Sequence, residues 1–264
     1  MLIPKGERET PPTVFLIVMN LDLNNLLEGW PHEPGQIRVR KILGNDGKEK
    51  IQLRIDLGLI QMETTGRPDG QRPYGCESLL QWHQERAEQE GDSYQLTPEE
   101  CAELQHESIQ YYHRYIALFQ LGDYPGVIRD TQRNLEVLDF VAAHCDREEI
   151  LWSFEQFRPY VLMMNTRAKA SIELERHNYK AAVRQIERGR DRIVEALQER
   201  VENPMECPEV QFLEQWLEEL RNKEPLSRLE MLEREMQKAI AAEAYERAAE
   251  LRDAIQAEKA SMQK

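Results

Sequence analysis

Cysteine is scarce and unclustered in this chain: Cys76, Cys101, Cys145 and Cys207 are the four in 264 residues, and no two form a Cys-x-x-Cys pair. That spacing excludes a zinc knuckle and a thioredoxin-like redox motif. It leaves reduced, mostly structural thiols in a cytoplasmic protein as the expectation. Long apolar runs are missing too. The run from Val14 to Met19 is too short to span a bilayer. It follows Lys5, Glu7, Arg8 and Glu9, and no small-residue cleavage site follows it, so a buried strand is expected rather than a signal peptide or membrane anchor. There is no Walker phosphate loop, no Gly-x-Ser-x-Gly elbow and no His-Glu-x-x-His motif, so the commonest signatures of phosphoryl transfer, serine hydrolysis and zinc hydrolysis are lacking. The histidines are scattered. His106 and His113 could share a helix face, but no third ligand is evident, and neither a metal nor a cofactor is expected.

Positive charge is also in short supply. Lys and Arg number 34 against 48 Asp and Glu, a formal net charge of −14. Such a chain repels phosphate backbones and is not expected to coat DNA. The local exception is the cluster Arg38, Arg40, Lys41 and Arg54, where nucleic-acid binding stays open.

What is present suffices for a core: 41% of residues are apolar and 31% charged, so neither disulfide nor metal is required for folding. Residues 1–12 carry mixed charge, Pro11 and Pro12 without periodicity, and read as a loosely attached arm. Organised sequence resumes at Met19, which leaves Met1 and Met19 as alternative starts. Residues 20–30 predict a short helix or turn ending at Gly29. Ile37 and Val39 alternate with Arg38 and Arg40; a turn follows at Gly44 to Gly47; Ile51, Leu53, Ile55, Leu57 and Leu59 then alternate with polar residues. This predicts a β-hairpin with one apolar and one polar face. The loop from Gly66 to Gly75 is dense in turn formers. Its Arg67 and Arg72, beside a helix predicted to start near Glu77, form a candidate anion site. The acidic stretch ending at Gly91 reads as a linker. Thr97-Pro98-Glu99-Glu100 is a capping-box pattern, and helices are predicted from there to about Leu121, from Asp123 to about His144, over 148–157, from Pro159 to about His177, from Asn178 to about Val201 and over 209–222.

Leu121-Gly122-Asp123-Tyr124 lines up with Arg176-His177-Asn178-Tyr179, and the same shift pairs Ala117 with Ile172, Ile128 with Val183 and Leu138 with Ile193. The first copy resembles the turn of a tetratricopeptide helix pair. The repeat of about 55 residues exceeds the usual ~34, which implies an extra helix between the copies.

The most specific signal is C-terminal. Leu229, Leu232, Met236 and Ala239 form one apolar stripe, and Ala248, Leu251 and Ile255 another. Between them runs Tyr245-Glu246-Arg247-Ala248-Ala249-Glu250-Leu251-Arg252-Asp253. This phrase resembles the UVR domain, an antiparallel helical hairpin at the C-terminus of UvrB and within UvrC, with similar hairpins in some Clp-type ATPases and in the activator of the bacterial protein arginine kinase. The zinc-binding cysteines of that activator, the helicase motifs of UvrB and the nuclease motifs of UvrC have no counterpart here.

The expected fold is therefore mainly α, in three parts: an α+β module with the β-hairpin over 1–91, a helical bundle with tetratricopeptide-like pairs over 97–222, and a UVR-like hairpin over 227–264. The resemblance implies a turn near Ala242 to Tyr245, with Tyr245 packed at the bend. It implies a seam closed by Leu229, Leu232, Ala248, Ala249, Leu251 and Ile255, and a partner face of Met236, Tyr245, Glu246, Arg252 and Asp253. The function it implies is that of a non-catalytic adaptor or regulator docking a protein partner, an excision-repair protein or a Clp-type AAA+ ATPase, or pairing as a homodimer. The alternatives are a nucleic-acid-associated excision-repair accessory protein using the basic cluster, and an enzyme using the Gly66–Gly75 loop.

Overall fold

The computed structural model describes residues 22–198, 200–223, 228–241 and 244–262. The arm over 1–12, the strand from Val14 and the choice between Met1 and Met19 fall outside the described residues. A short helix α1 (Asn24–Leu27) precedes an antiparallel meander of β1 (Val39–Leu43), β2 (Glu49–Ile55) and β3 (Gly58–Glu63) in the order β1-β2-β3. The expected hairpin thus gains a third strand. The odd-numbered apolar series runs on through Leu57 and Leu59 and hides the turn. The chain actually reverses at Asp56-Leu57: Ile55 pairs with Gly58, and Leu57 is 93% exposed at the tip. Beyond it the inward positions are even-numbered, with Met62 opposite Ile51 and Ile60 opposite Leu53. The polar face of β2 is not open to water either. Lys50 and Gln52 are buried, Lys50 between the carboxylates of Asp46 and Glu63, and Gln52 between Arg40 and Gln61.

The basic cluster is used internally. Arg40 stacks on Trp30 at 4.1 Å and donates to the Leu26 carbonyl. Arg54 donates to the carbonyls of Trp30 and Gly58, Arg38 to that of Pro31, and Lys41 pairs with Glu49. Together the three arginines tie residues 26–31 to the sheet.

Among the described residues, nine longer helices follow in two groups. The body holds α2 (Leu79–Glu90), α3 (Pro98–Gln120), α4 (Tyr124–His144), α5 (Glu148–Glu155), α6 (Arg158–Glu175), α7 (Tyr179–Leu197) and α8 (Pro208–Lys223). Helix α2 starts two residues later than expected because Ser78 supplies the cap, its hydroxyl accepting from the Gln81 N–H at 3.2 Å. The capping box on α3 forms as its sequence predicts: the Thr97 hydroxyl accepts from the Glu100 N–H and the Glu100 carboxylate from the Thr97 N–H. The internal repeat is visible as geometry. Gly122 and His177 both take left-handed φ, +74° and +56°. Asp123 and Asn178 then cap the next helix through Gly126 and Ala181. Helix pairs α3/α4 and α6/α7 share this turn, and α5 is the extra helix between them.

One apolar core runs from Ile51, Leu53 and Met62 of the sheet through Leu104, Leu118 and Ile186 to Leu213 and Leu217 of α8. The acidic stretch expected as a linker up to Gly91 is the second half of α2, and just beyond it Tyr94 and Leu96 enter that core, so sheet and bundle are packed as one. Folding also brings together two thiols distant in sequence: Cys101 and Cys145 are neighbours, and burial, with Cys145 beside it, pushes the Cys101 thiol up to about 12.

His83 is fully buried beside that core, with Nδ1 2.6 Å from the Tyr94 hydroxyl and Nε2 without a partner. Burial pulls its pKa below the ordinary value, with opposing smaller effects from Glu100 and Arg86. The folded state therefore binds the proton less well than the unfolded chain. Stability present at neutral pH should fall as pH drops below about 6.5 and keep falling until the folded pKa is reached. Urea unfolding at pH 7.5 and 5.0 should show a smaller loss on acidification for His83→Gln than for the native chain. Equal losses would rule out this role.

Candidate functional site

The first candidate region is the Gly66–Gly75 loop and the helices beneath it. Sequence periodicity places Glu107 and Arg114 on the same stripe of α3 as Leu104, Tyr111 and Leu118, and Asp130 and Asn134 on the inward stripe of α4. All are buried. Arg114 and Asp130 form a two-pronged pair at 2.7 and 2.9 Å, shielded completely from solvent. Arg129 adds a third bond to Asp130 at 2.9 Å. Glu107 pairs with Arg133 and lies 3.5 Å from Arg67. Arg133 and Arg114 both lie over the Tyr111 ring. Burial and the nearby Arg67 guanidinium pull the Arg133 pKa down to about 9, which still leaves it a cation at neutral pH.

This network grips the end of the sheet. Arg114 donates to the Glu63 carbonyl and Arg129 to that of Thr64, each at 3.1 Å. The loop is braced in turn. The Glu63 N–H bonds the Pro68 carbonyl, Asp69 accepts from the Gln71 N–H and from Gln110, and Gly70 takes φ +74° to close the Arg67–Gly70 turn. Arg67 and Arg72 end in different settings. Arg67 is largely buried against Asp69 and Glu107, whereas Arg72 is exposed. The Glu107 carboxylate also accepts the Leu79 N–H at 2.8 Å. The anion expected from solution at Arg67 and the start of α2 is thus an internal carboxylate. The loop and its helices are thus tied together by hydrogen bonds and ion pairs beneath the end of the sheet. Charged residues on apolar stripes were the sequence signal for it.

The second candidate region is the C-terminal hairpin of α9 (Arg228–Ala241) and α10 (Tyr245–Met262). The helices pack on one another across a three-residue connection, which places them antiparallel. The connection falls where the motif implied a turn; residues 242 and 243 lie outside the description. Ala239, Leu251 and Ile255 are buried in the seam, with Leu232, Met236 and Ala248 half-buried beside them. None of the three buried residues belongs to the core of the body.

Met236, expected on the partner face, is half-buried on the same stripe as Leu232. Two expected placements need correction. Ala249 is exposed, since it lies about 100° around the helix from half-buried Ala248. Tyr245 does not pack at the bend: it is the first residue of α10 and 69% exposed. Glu246, Arg252 and Asp253 are exposed as expected, Arg252 donating to Asp253 at 3.0 and 3.1 Å. Among the described side chains of the hairpin, the exposed large apolar ones are Ile240, at 45%, and Tyr245, both near the turn. Ile240 was not expected there.

In comparison with known proteins, residues 227–260 fit the family described as the UvrB/uvrC motif. No curated protein and no solved structure matches the chain. No helix among the described residues is long and apolar enough to cross a membrane.

Proposed function

We propose, starting from a chain that carries a UVR motif at residues 227–260, that it is a non-catalytic adaptor whose hairpin docks a protein partner. The observation that supports this most is the division of burial. Ala239, Leu251 and Ile255 close the hairpin on itself without joining the body's core. Such a hairpin buries little apolar surface alone, so covering Ile240 and Tyr245 against a second protein would stabilise it. The partner class is an excision-repair protein or a Clp-type ATPase, with a second copy of the hairpin as competitor.

Arg252 gives a graded test. In the free protein its pair with Asp253 is exposed and contributes under about 1 kcal/mol. If docking buries it, Arg252→Glu should weaken the complex by about 2–5 kcal/mol while leaving the unfolding midpoint unchanged. The measurement is pull-down with purified UvrB-, UvrC- and Clp-type proteins, plus sedimentation, for the native chain, Arg252→Glu and a truncation after Glu224. The truncated body should lose its partner and keep its fold. Retention of every partner and of the same mass by the truncated chain would make the hairpin a structural tail and end the adaptor reading.

A further inference from the structure

Away from the hairpin, the body contains a cavity of about 590 Å³ between α3, α4, α5, α6 and the start of α8. Its size lies within the ordinary range of small-ligand pockets. Five aromatic side chains, Tyr112, Tyr115, Phe154, Phe157 and Tyr160, line it. Tyr112 meets Tyr115 edge-on at 5.5 Å and Tyr160 at 6.1 Å. Glu209 stands in the same wall, in the first turn of α8, and no Lys, Arg or His lines the cavity. Two cations stand behind the wall. Arg167 lies between the rings of Phe119 and Phe212 at 4.4 and 4.9 Å. Arg133 donates to Ser108 and Asn134 of the lining at 3.5 and 3.3 Å, and the Glu107 carboxylate offsets its charge. The mouth keeps Phe157 and Ile109 about half exposed, at 51% and 47%. Ring faces carry negative quadrupole charge, and a carboxylate beside them adds a full charge, so the lining attracts a cation with an apolar body.

We propose that this cavity is a binding site for an alkylammonium group carried on an apolar body, held by the rings of Tyr112, Phe157 and Tyr160 against the Glu209 carboxylate. The chemistry fits either a small quaternary amine or the lysine side chain of a partner peptide. The proposal goes beyond the adaptor reading and does not depend on it, because the truncation after Glu224 leaves every lining residue in place.

Isothermal titration of the full chain with phenethyltrimethylammonium, and with an acetylated heptapeptide carrying one lysine between leucines, separates the two sources. At least one should bind at millimolar concentration or better. Glu209→Gln should weaken that binding about tenfold, and Phe157→Ser, at an exposed position that should not disturb folding, should weaken it at least as much. The norleucine version of the peptide should bind about tenfold more weakly than the lysine version if the peptide is the ligand. Absence of binding by both probes, or affinities indifferent to Glu209→Gln, would overturn the proposal. So would a Phe157→Ser variant that alters only the sedimentation of the chain, since the cavity mouth would then be a contact between copies.

Discussion

Replacing Asp130 by alanine is expected to cost about 3–5 kcal/mol of folding stability. The substitution removes both prongs of the Arg114 pair and leaves that guanidinium fully buried. Its remaining neighbours would be the Glu63 carbonyl at 3.1 Å and the face of Tyr111 at 5.0 Å. Arg129 loses a bond as well, but its side chain is 44% exposed and can turn to water at little cost. The loss thus comes mainly from one uncompensated buried charge. It follows that removing both charges, as Arg114→Met with Asp130→Leu, should recover most of the stability, because well-packed apolar groups can replace a buried pair nearly neutrally. Urea unfolding of the two single variants and the double variant measures this as a cycle. Hydrogen exchange over residues 58–70 should rise in Asp130→Ala, since Arg114 and Arg129 hold the end of β3. A single-variant cost under about 1 kcal/mol, the range of exposed pairs such as Arg86–Glu90, would show that the network is solvated in solution.

The second large effect is expected at Gly189, inside α7. A glycine in mid-helix normally costs about 0.5–1 kcal/mol relative to alanine, so propensity alone favours Gly189→Ala. Packing opposes it. A Cβ at this position would lie 2.6 Å from the Thr166 Cβ and closer still to both branches of that side chain. Thr166 is buried on α6 and β-branched, so it has little freedom to turn away. Helices α6 and α7 would have to separate, and overpacking of this kind typically costs about 1–3 kcal/mol. We therefore expect Gly189→Ala to destabilise on balance, and Gly189→Leu to cost about 3 kcal/mol or more. Thr166→Ala should rescue Gly189→Ala only in part, because the Cβ–Cβ collision remains. Thermal unfolding decides the sign, and a rise in Tm for Gly189→Ala would mean the two helices are less closely apposed than described.

The placement of helices was legible in the sequence because their ends are local chemistry. Thr97, Asp123 and Asn178 each cap through a backbone N–H three residues away, and no distant group is needed to see it. The same holds for the hairpin motif, which occupies 34 residues of contiguous chain. The turn at Asp56-Leu57 was harder to see. Apolar residues continued the odd-numbered alternation across it, and strand pairing beyond a tight turn is fixed by neighbouring strands as well as by local sequence.

The rest was decided by tertiary structure. Glu107 and Arg114 could be placed on an apolar stripe from spacing alone, but their partners Arg133 and Asp130 lie on another helix, and Arg67 lies in a loop before both. Cys101 and Cys145, far apart in the chain, meet for the same reason. The aromatic cavity combines residues from 105 to 209, and no local pattern announces that their rings converge. Periodicity tells which side of a helix faces inward. What that side meets depends on how helices cross, and that is set by packing summed over the whole core.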